Sequence, residues 1–139
     1  MSLVLDTSTT LSWYFEDERT PSSDAPLDQV AEAGAIVPSL WRLEVANGFQ
    51  MAIRRNRIDQ AFRDEAISRL SCLPIALDPE TNTYAWTTTV KLAERFGLTT
   101  YDAAYLELAQ RHTLPLATLD QELRGAASSL GVALLGVAA

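Results

Sequence analysis

The 139 residues carry a formal net charge of −7, with 47% hydrophobic and 21% charged residues. This is the composition of an ordinary soluble domain with enough apolar content for a core. Cys72 is the single cysteine, which excludes a disulfide framework within the chain; no leader-like opening or membrane-length apolar run is visible, so a cytoplasmic protein with no membrane partner is expected.

In chain order, residues 3–6 read as a short buried strand, followed by a helix over 7–15 that Asp6 or Thr7 can cap. Residues 16–26, acidic and with two prolines, read as a mobile loop. A short helix over 27–33 ends at Gly34, and Ala35-Ile36-Val37 form a second strand stopped by Pro38. Ser39 is expected to cap a long helix over 40–55 with Leu40, Leu43, Ala46, Phe49 and Ile53 on its apolar face. Gly48 inside that helix costs about 1 kcal/mol against alanine, so close packing is its expected reason. A helix over 58–70, a strand over 74–77, a helix over 80–96 stopped by Gly97, and a helix over 101–111 begun by Thr99 or Thr100 follow. A fourth strand, 116–119, ends at Asp120; a helix to about Leu130 and a strand over 132–135 complete the chain. Short apolar strands alternating with helices imply an α/β fold with a mostly parallel sheet covered on both faces. No repeat or linker divides the chain, so residues 1–139 are expected to form one domain.

Four acids then stand out. Asp6 and Asp120 each follow an apolar strand, and parallel strands would place both at the carboxyl edge of the sheet, where open α/β sheets bind ligands. Glu44 lies one turn into the helix after the second strand, and Asp102 at the start of its helix; helix N-termini after strands gather on the same edge. Helix capping explains Asp6, Asp102 or Asp120 taken singly equally well. Glu44 is harder to explain so, because a glutamate among Leu40, Trp41, Leu43 and Val45 costs desolvation unless it is paired, with Arg42 or Arg54 for instance, or bound to metal.

Carboxylates gathered at one edge repel each other without a cation, and some would have raised pKa values. Hard oxygen donors select Mg²⁺ or Mn²⁺ over zinc, and the only histidine, His112, sits late in its helix. Such ions activate water and stabilise charge on phosphoryl oxygens, so phosphodiester hydrolysis is the matching chemistry. A Gly-x-Ser-x-Gly elbow, a Walker loop and a Rossmann fingerprint are all missing. The net charge speaks against nucleic acid, yet it is uneven. Arg42, Arg54, Arg55, Arg57, Arg63 and Arg69 face Glu44, Asp59, Asp64 and Glu65, so that stretch is net +2 and the remainder −9. A solvated helix face accounts for those arginines as well as a phosphate-binding surface does.

Val4-Leu5-Asp6-Thr7-Ser8, Pro38-Ser39-Leu40 leading to Glu44-Val45-Ala46-Asn47, Thr100-Tyr101-Asp102-Ala103-Ala104-Tyr105-Leu106, and Pro115-Leu116-Ala117-Thr118-Leu119-Asp120 resemble, in order and spacing, the PIN-domain ribonucleases. They look most like the VapC-type toxins of VapBC toxin–antitoxin pairs, over essentially the whole chain. The resemblance implies a three-layer α/β/α domain whose five-stranded parallel sheet has its first and fourth strands adjacent. It further implies Mg²⁺- or Mn²⁺-dependent endonucleolytic cleavage of RNA, a homodimer, and a small antitoxin as partner, with operator DNA reached only through that antitoxin. By the same likeness Asp6, Glu44 and Asp102 are the primary metal-site acids, Asp120 a more variable fourth, and Thr7, Ser8 and Thr118 the hydroxyls that support them. Arg54, Arg55 and Arg57 would then help hold the RNA backbone. Two alternatives stay open: a non-catalytic PIN-like module that binds a protein or operator complex, and a DNA- or structure-directed nuclease on the same fold. Trp13, Tyr14, Phe15, Trp41 and Phe49 could line a groove for a partner's helix, or simply form core.

Overall fold

A computed structural model describes residues 2–135. Its elements are β1 (Leu3–Leu5), α1 (Thr7–Ser12), a 3-10 turn (Glu16–Glu18), α2 (Pro21–Ala33), β2 (Ala35–Val37), α3 (Trp41–Arg54), α4 (Gln60–Ser71), β3 (Ile75–Leu77), α5 (Thr81–Tyr84), a π-helical turn (Ala85–Thr89), α6 (Val90–Phe96), α7 (Thr100–His112), β4 (Leu116–Ala117), α8 (Gln121–Leu130) and β5 (Leu134–Leu135). The strands form one parallel sheet in the order β3-β2-β1-β4-β5. Val4, at its centre, pairs with Ile36 on one side and Leu116 on the other. Successive strand residues face opposite sides, and Leu3, Val4 and Leu5 are all fully buried, so helices cover both faces, as the apolar runs imply. From β1 the chain moves to β2 and β3, then crosses back to β4 on the other flank. The boundary between β1 and β4 is therefore the topological switch point, where a crevice opens at the carboxyl edge.

Several expectations need correction. Half of the expected loop over 16–26 is helical, because α2 starts at Pro21. Thr20 and Ser23 form a reciprocal capping box with Pro21 at the first helical position, where the missing N–H costs nothing; Pro26 sits inside the helix. The first helix ends at Ser12 rather than at residue 15. β2 has the expected bounds, whereas the other four strands are shorter than expected at one end, leaving Thr118 and Leu119 outside β4.

Ser39 is not the cap of α3; Leu40 holds that position without a side-chain bond, and the Ser39 N–H donates to Thr81 Oγ1 at 3.0 Å. The buried face of α3 is Trp41, Val45, Phe49 and Ala52, about a residue out of phase with the expected one, and Leu43 is 78% exposed. Trp13, Phe15, Trp41 and Phe49 are core, which is the plainer of their two readings.

Two glycines behave as expected. Gly97 takes a left-handed φ of 66° at the end of α6. A β-carbon on Gly48 would lie 2.4 Å from Leu11 Cδ1, so the glycine is what lets α3 press against α1. That contact fixes the helix carrying Glu44 against the helix that begins beside Asp6. Among the described residues no helix is long and apolar enough to cross a membrane.

Candidate active site

Asp6 follows β1 directly and caps α1, its Oδ1 accepting the Thr9 N–H at 2.9 Å. The Ser8 hydroxyl lies 2.8 and 2.9 Å from the two carboxylate oxygens, and Thr118 Oγ1 donates to Oδ2. These hydroxyls also stitch the end of β4 to the same corner: Thr118 Oγ1 accepts the Asp120 N–H and Ser8 Oγ the Leu119 N–H, each at 3.1 Å. Asp6 is only 5% exposed. Burial pushes its pKa up to about 6, against the Thr118, Thr9 and Ser8 hydrogen bonds that lower it, and the charge of Asp102 adds to the rise.

Asp120 caps α8 through Oδ1, which accepts the Leu123 N–H at 3.0 Å. The capping readings of Asp6 and Asp120 are thus both correct, but each backbone cap uses Oδ1 alone, and the second oxygen of Asp6 takes only the Ser8 and Thr118 hydroxyls. Asp102 is not a cap. Thr99 caps α7 by accepting the Asp102 N–H at 3.1 Å. Burial first, then the charges of Asp120 and Glu44, raise the Asp102 pKa, with Glu122 adding a smaller push.

Glu44, in the first turn of α3, pairs with neither Arg42 nor Arg54. Its Oε1 accepts from Tyr105 Oη at 2.6 Å and from Thr7 Oγ1 at 3.1 Å. Asp6, Glu44, Asp102 and Asp120, distant in sequence, therefore meet on one anionic edge, linked by mutual repulsion and by Thr7, Ser8 and Thr118. Tyr105 and Glu122 also belong to this edge, and neither stands out in the sequence. Tyr105 lies inside the stretch from Thr100 to Leu106 that carries Asp102, but the sequence attaches no role to it. Its position three residues after Asp102, hence on the same helix face, is the signal that would have found it.

The expected RNA-binding arginines lie elsewhere. α3 runs back from the carboxyl edge, and ten residues of helix put Arg54 about 15 Å along the axis from Glu44. Arg54 and Arg55 are exposed. Arg57 is already engaged, with Nη2 at 2.8 Å from Asp17 and 3.1 Å from Glu18 and its guanidinium 4.4 Å from the centre of the Phe15 ring. It lines a groove of about 940 Å³ with Phe15, Asp17 and Phe62, away from the four acids.

The sequence model of the PIN domain matches residues 3–128. The chain belongs to the PIN domain family. Ribonuclease VapC3 of Pyrobaculum aerophilum is 29% identical over 123 residues, covering 88% of this chain and 92% of that protein. Among solved structures, PAE2754 from Pyrobaculum aerophilum matches with a TM-score of 0.66 at 22% identity, over 91% of this chain and 84% of its own. FitAcB from Neisseria gonorrhoeae matches at 0.64 and 19%, over 97% and 96%. VapBC2 from Rickettsia felis, solved with a DNA fragment from its promoter, matches at 0.62 and 16%, over 96% and 97%. The PIN-domain resemblance carried by the four motifs is thereby borne out, and so is the parallel five-stranded α/β fold.

Proposed function

We propose that the protein is a Mg²⁺- or Mn²⁺-dependent endoribonuclease and the toxin of a VapBC-type pair. The observation that carries this reading is Asp6, a buried carboxylate held by hydroxyls and one backbone N–H. Among the described residues it has no ion-pair partner, and the charge of Asp102 opposes its own. Such a group calls for a cation from outside the chain.

The donor set fits a hard divalent ion, being all oxygen and anionic. Among the described residues no three acidic, histidine or cysteine side chains gather around one point. That is compatible with magnesium, which is commonly held by one or two carboxylates with water filling its remaining positions. Asp6, Glu44, Asp102 and Asp120 would hold the ion, directly or through water. When bound, it supplies an activated water and charge stabilisation at the scissile phosphate. Ser8 and Thr118 orient Asp6, Thr7 helps orient Glu44, and the caps of α1 and α8 keep Asp6 and Asp120 at the edge. Arg54 and Arg55 are left to neutralise RNA phosphates remote from the cut.

Isothermal titration with Mn²⁺, together with cleavage of an unstructured RNA, tests the reading. Wild type should bind and cut; Asp102→Asn should stay folded and not cut. Retained cleavage by pure Asp102→Asn, or no Mn²⁺ binding by wild type, overturns it. The names of the relatives support a small antitoxin partner, which co-purification with the product of an adjacent small reading frame would test, and light scattering would test the homodimer. The absence of a three-ligand cluster among the described residues favours one rival, a non-catalytic PIN-like module. The same titration separates the two, because that module has no need of the ion.

A further inference from the structure

Ala103 and Ala104 are small and buried, which lets α7 lie close against the sheet. On the face it turns to the acidic edge it carries both Asp102 and Tyr105. Tyr105 is 1% exposed, yet its hydroxyl sits in a polar triangle. It lies 2.6 Å from Glu44 Oε1 and 3.0 Å from Thr7 Oγ1, and Thr7 Oγ1 is itself 3.1 Å from Glu44 Oε1. Only two hydroxyl protons are available to the three sides of this triangle, so the shortest side is a phenol donating to a carboxylate. The Thr7 proton is left to one of the two longer sides.

We propose that Tyr105 is a positioning residue for the nuclease reaction, fixing Glu44 by Oε1 so that Oε2 is kept as the ligand atom for the divalent ion. This rests on the metal-dependent reading above. Glutamate has a long and mobile side chain, and α3 contributes no cation to hold Glu44 still. The tie to Tyr105 on α7 and to Thr7 beside Asp6 joins three of the four elements that carry the acids. Hydrogen-bond partners that orient a ligand in this way typically contribute 10–100-fold to metal affinity when removed singly.

The test is Tyr105→Phe in the full chain, which removes one oxygen and keeps the ring. By titration with Mn²⁺, its affinity should fall about 10–100-fold while the folded circular dichroism spectrum is retained. The Mn²⁺ concentration for half-maximal cleavage should rise by the same factor, with the rate at saturating Mn²⁺ close to wild type. In a Glu44→Gln background, Tyr105→Phe should cost no further affinity, a coupling that a purely structural tyrosine would not display. If Tyr105→Phe does not fold, Thr7→Val takes its place and should weaken Mn²⁺ binding in the same direction. Wild-type binding with either folded variant within twofold of it overturns this inference and leaves the nuclease reading standing. Failure of wild type to bind Mn²⁺ overturns both.

Discussion

Asp6 and Asp78 are the same residue type in similar places, each just past the end of a parallel strand and each almost wholly buried, at 5% and 2% exposure. Their surroundings differ completely. Arg111 reaches Asp78 with Nη2 at 2.6 Å and Nη1 at 3.3 Å, and also holds Glu107 at 2.7 Å. The Glu80 N–H and the Thr81 hydroxyl add two more donors. Burial would raise the Asp78 pKa, but the Arg111 hydrogen bonds, backed by these, hold it below its ordinary value. Asp6 meets no guanidinium, and burial wins. A buried carboxylate with its own arginine is complete within the fold. One given only neutral donors and the charge of a second acid is complete only with something added, which is how a structural aspartate differs from a candidate ligand.

The largest expected effect is on the Asp6 side. Asp6→Asn should lower RNA cleavage on the order of 1000-fold, since the charge stabilisation an ion provides is worth several kcal/mol, and about 4 kcal/mol is that factor. Asparagine can still cap α1, so the folded spectrum should persist. Single-turnover cleavage at saturating Mn²⁺ reads the loss, and a variant cutting within tenfold of wild type would erase the distinction between the two aspartates. On the Asp78 side, Arg111→Ala should cost about 3–5 kcal/mol of stability, because it strands two buried carboxylates without their cation. Urea unfolding measures this. Below its lowered midpoint the variant should still bind Mn²⁺ as wild type does; a matching loss of metal affinity would mean that Arg111 serves the site after all.

The contrast also explains what could be read from the sequence. An apolar run followed by an acid is a local pattern, so Asp6, Asp120 and the strands before them were legible from a few neighbouring residues each, whereas the adjacency of β1 and β4 followed only from the resemblance to the PIN family. The Arg111–Asp78 pair spans 33 positions, and nothing near either residue announces the other. The Tyr105 hydroxyl bond to Glu44 spans 61 and was hidden for the same reason. α3 was misphased because Leu40, Leu43 and Ile53 offer a second apolar stripe sharing Phe49 with the true one; tertiary packing against α1 chose between them. Pro21 reads as a breaker until the Thr20–Ser23 box places it in the first turn, where a missing N–H costs nothing; Pro26 lies beyond that turn and forfeits one helical hydrogen bond.

The two aspartates should also pull the pH dependence of the metal-free protein in opposite directions. The Asp6 pKa of about 6 when folded stands above its ordinary 3.8. Between those values the native state keeps a proton that the unfolded chain has released, so stability falls as pH rises. Above the folded pKa the loss is constant at about 3 kcal/mol, each pH unit between the two values being worth about 1.4 kcal/mol. Below 3.8 it vanishes. Asp102, also raised, acts in the same sense. Asp78 is lowered, so its contribution is present above the ordinary carboxylate value and disappears as pH falls through its folded pKa. In chelator, urea midpoints should therefore be higher near pH 4.5 than at pH 7.5. Asp6→Asn should flatten most of that slope, and Mn²⁺ should restore wild-type stability at the higher pH. A wild-type slope of the other sign would place Asp6 among the satisfied carboxylates.

The smallest expected effect extends the comparison from acids to cations. Arg57 resembles Arg111 in having its acids already, Asp17 and Glu18, and its flat face on Phe15. Arg54 and Arg55 stand exposed at the end of α3, just before Arg57. If RNA phosphates are neutralised by cations not otherwise engaged, Arg57→Ala should leave RNA binding within twofold of wild type and unchanged in its salt dependence. Replacing Arg54 and Arg55 together should weaken binding and make the slope of log K against log salt shallower. The change should be about 0.7 for each phosphate that is no longer neutralised, the value for single strands. Filter binding in Ca²⁺ across a series of salt concentrations resolves the two cases. A shallower slope for Arg57→Ala would show that Asp17 and Glu18 release their arginine to the substrate, since an ion pair at the surface exchanges one anion for another at little cost.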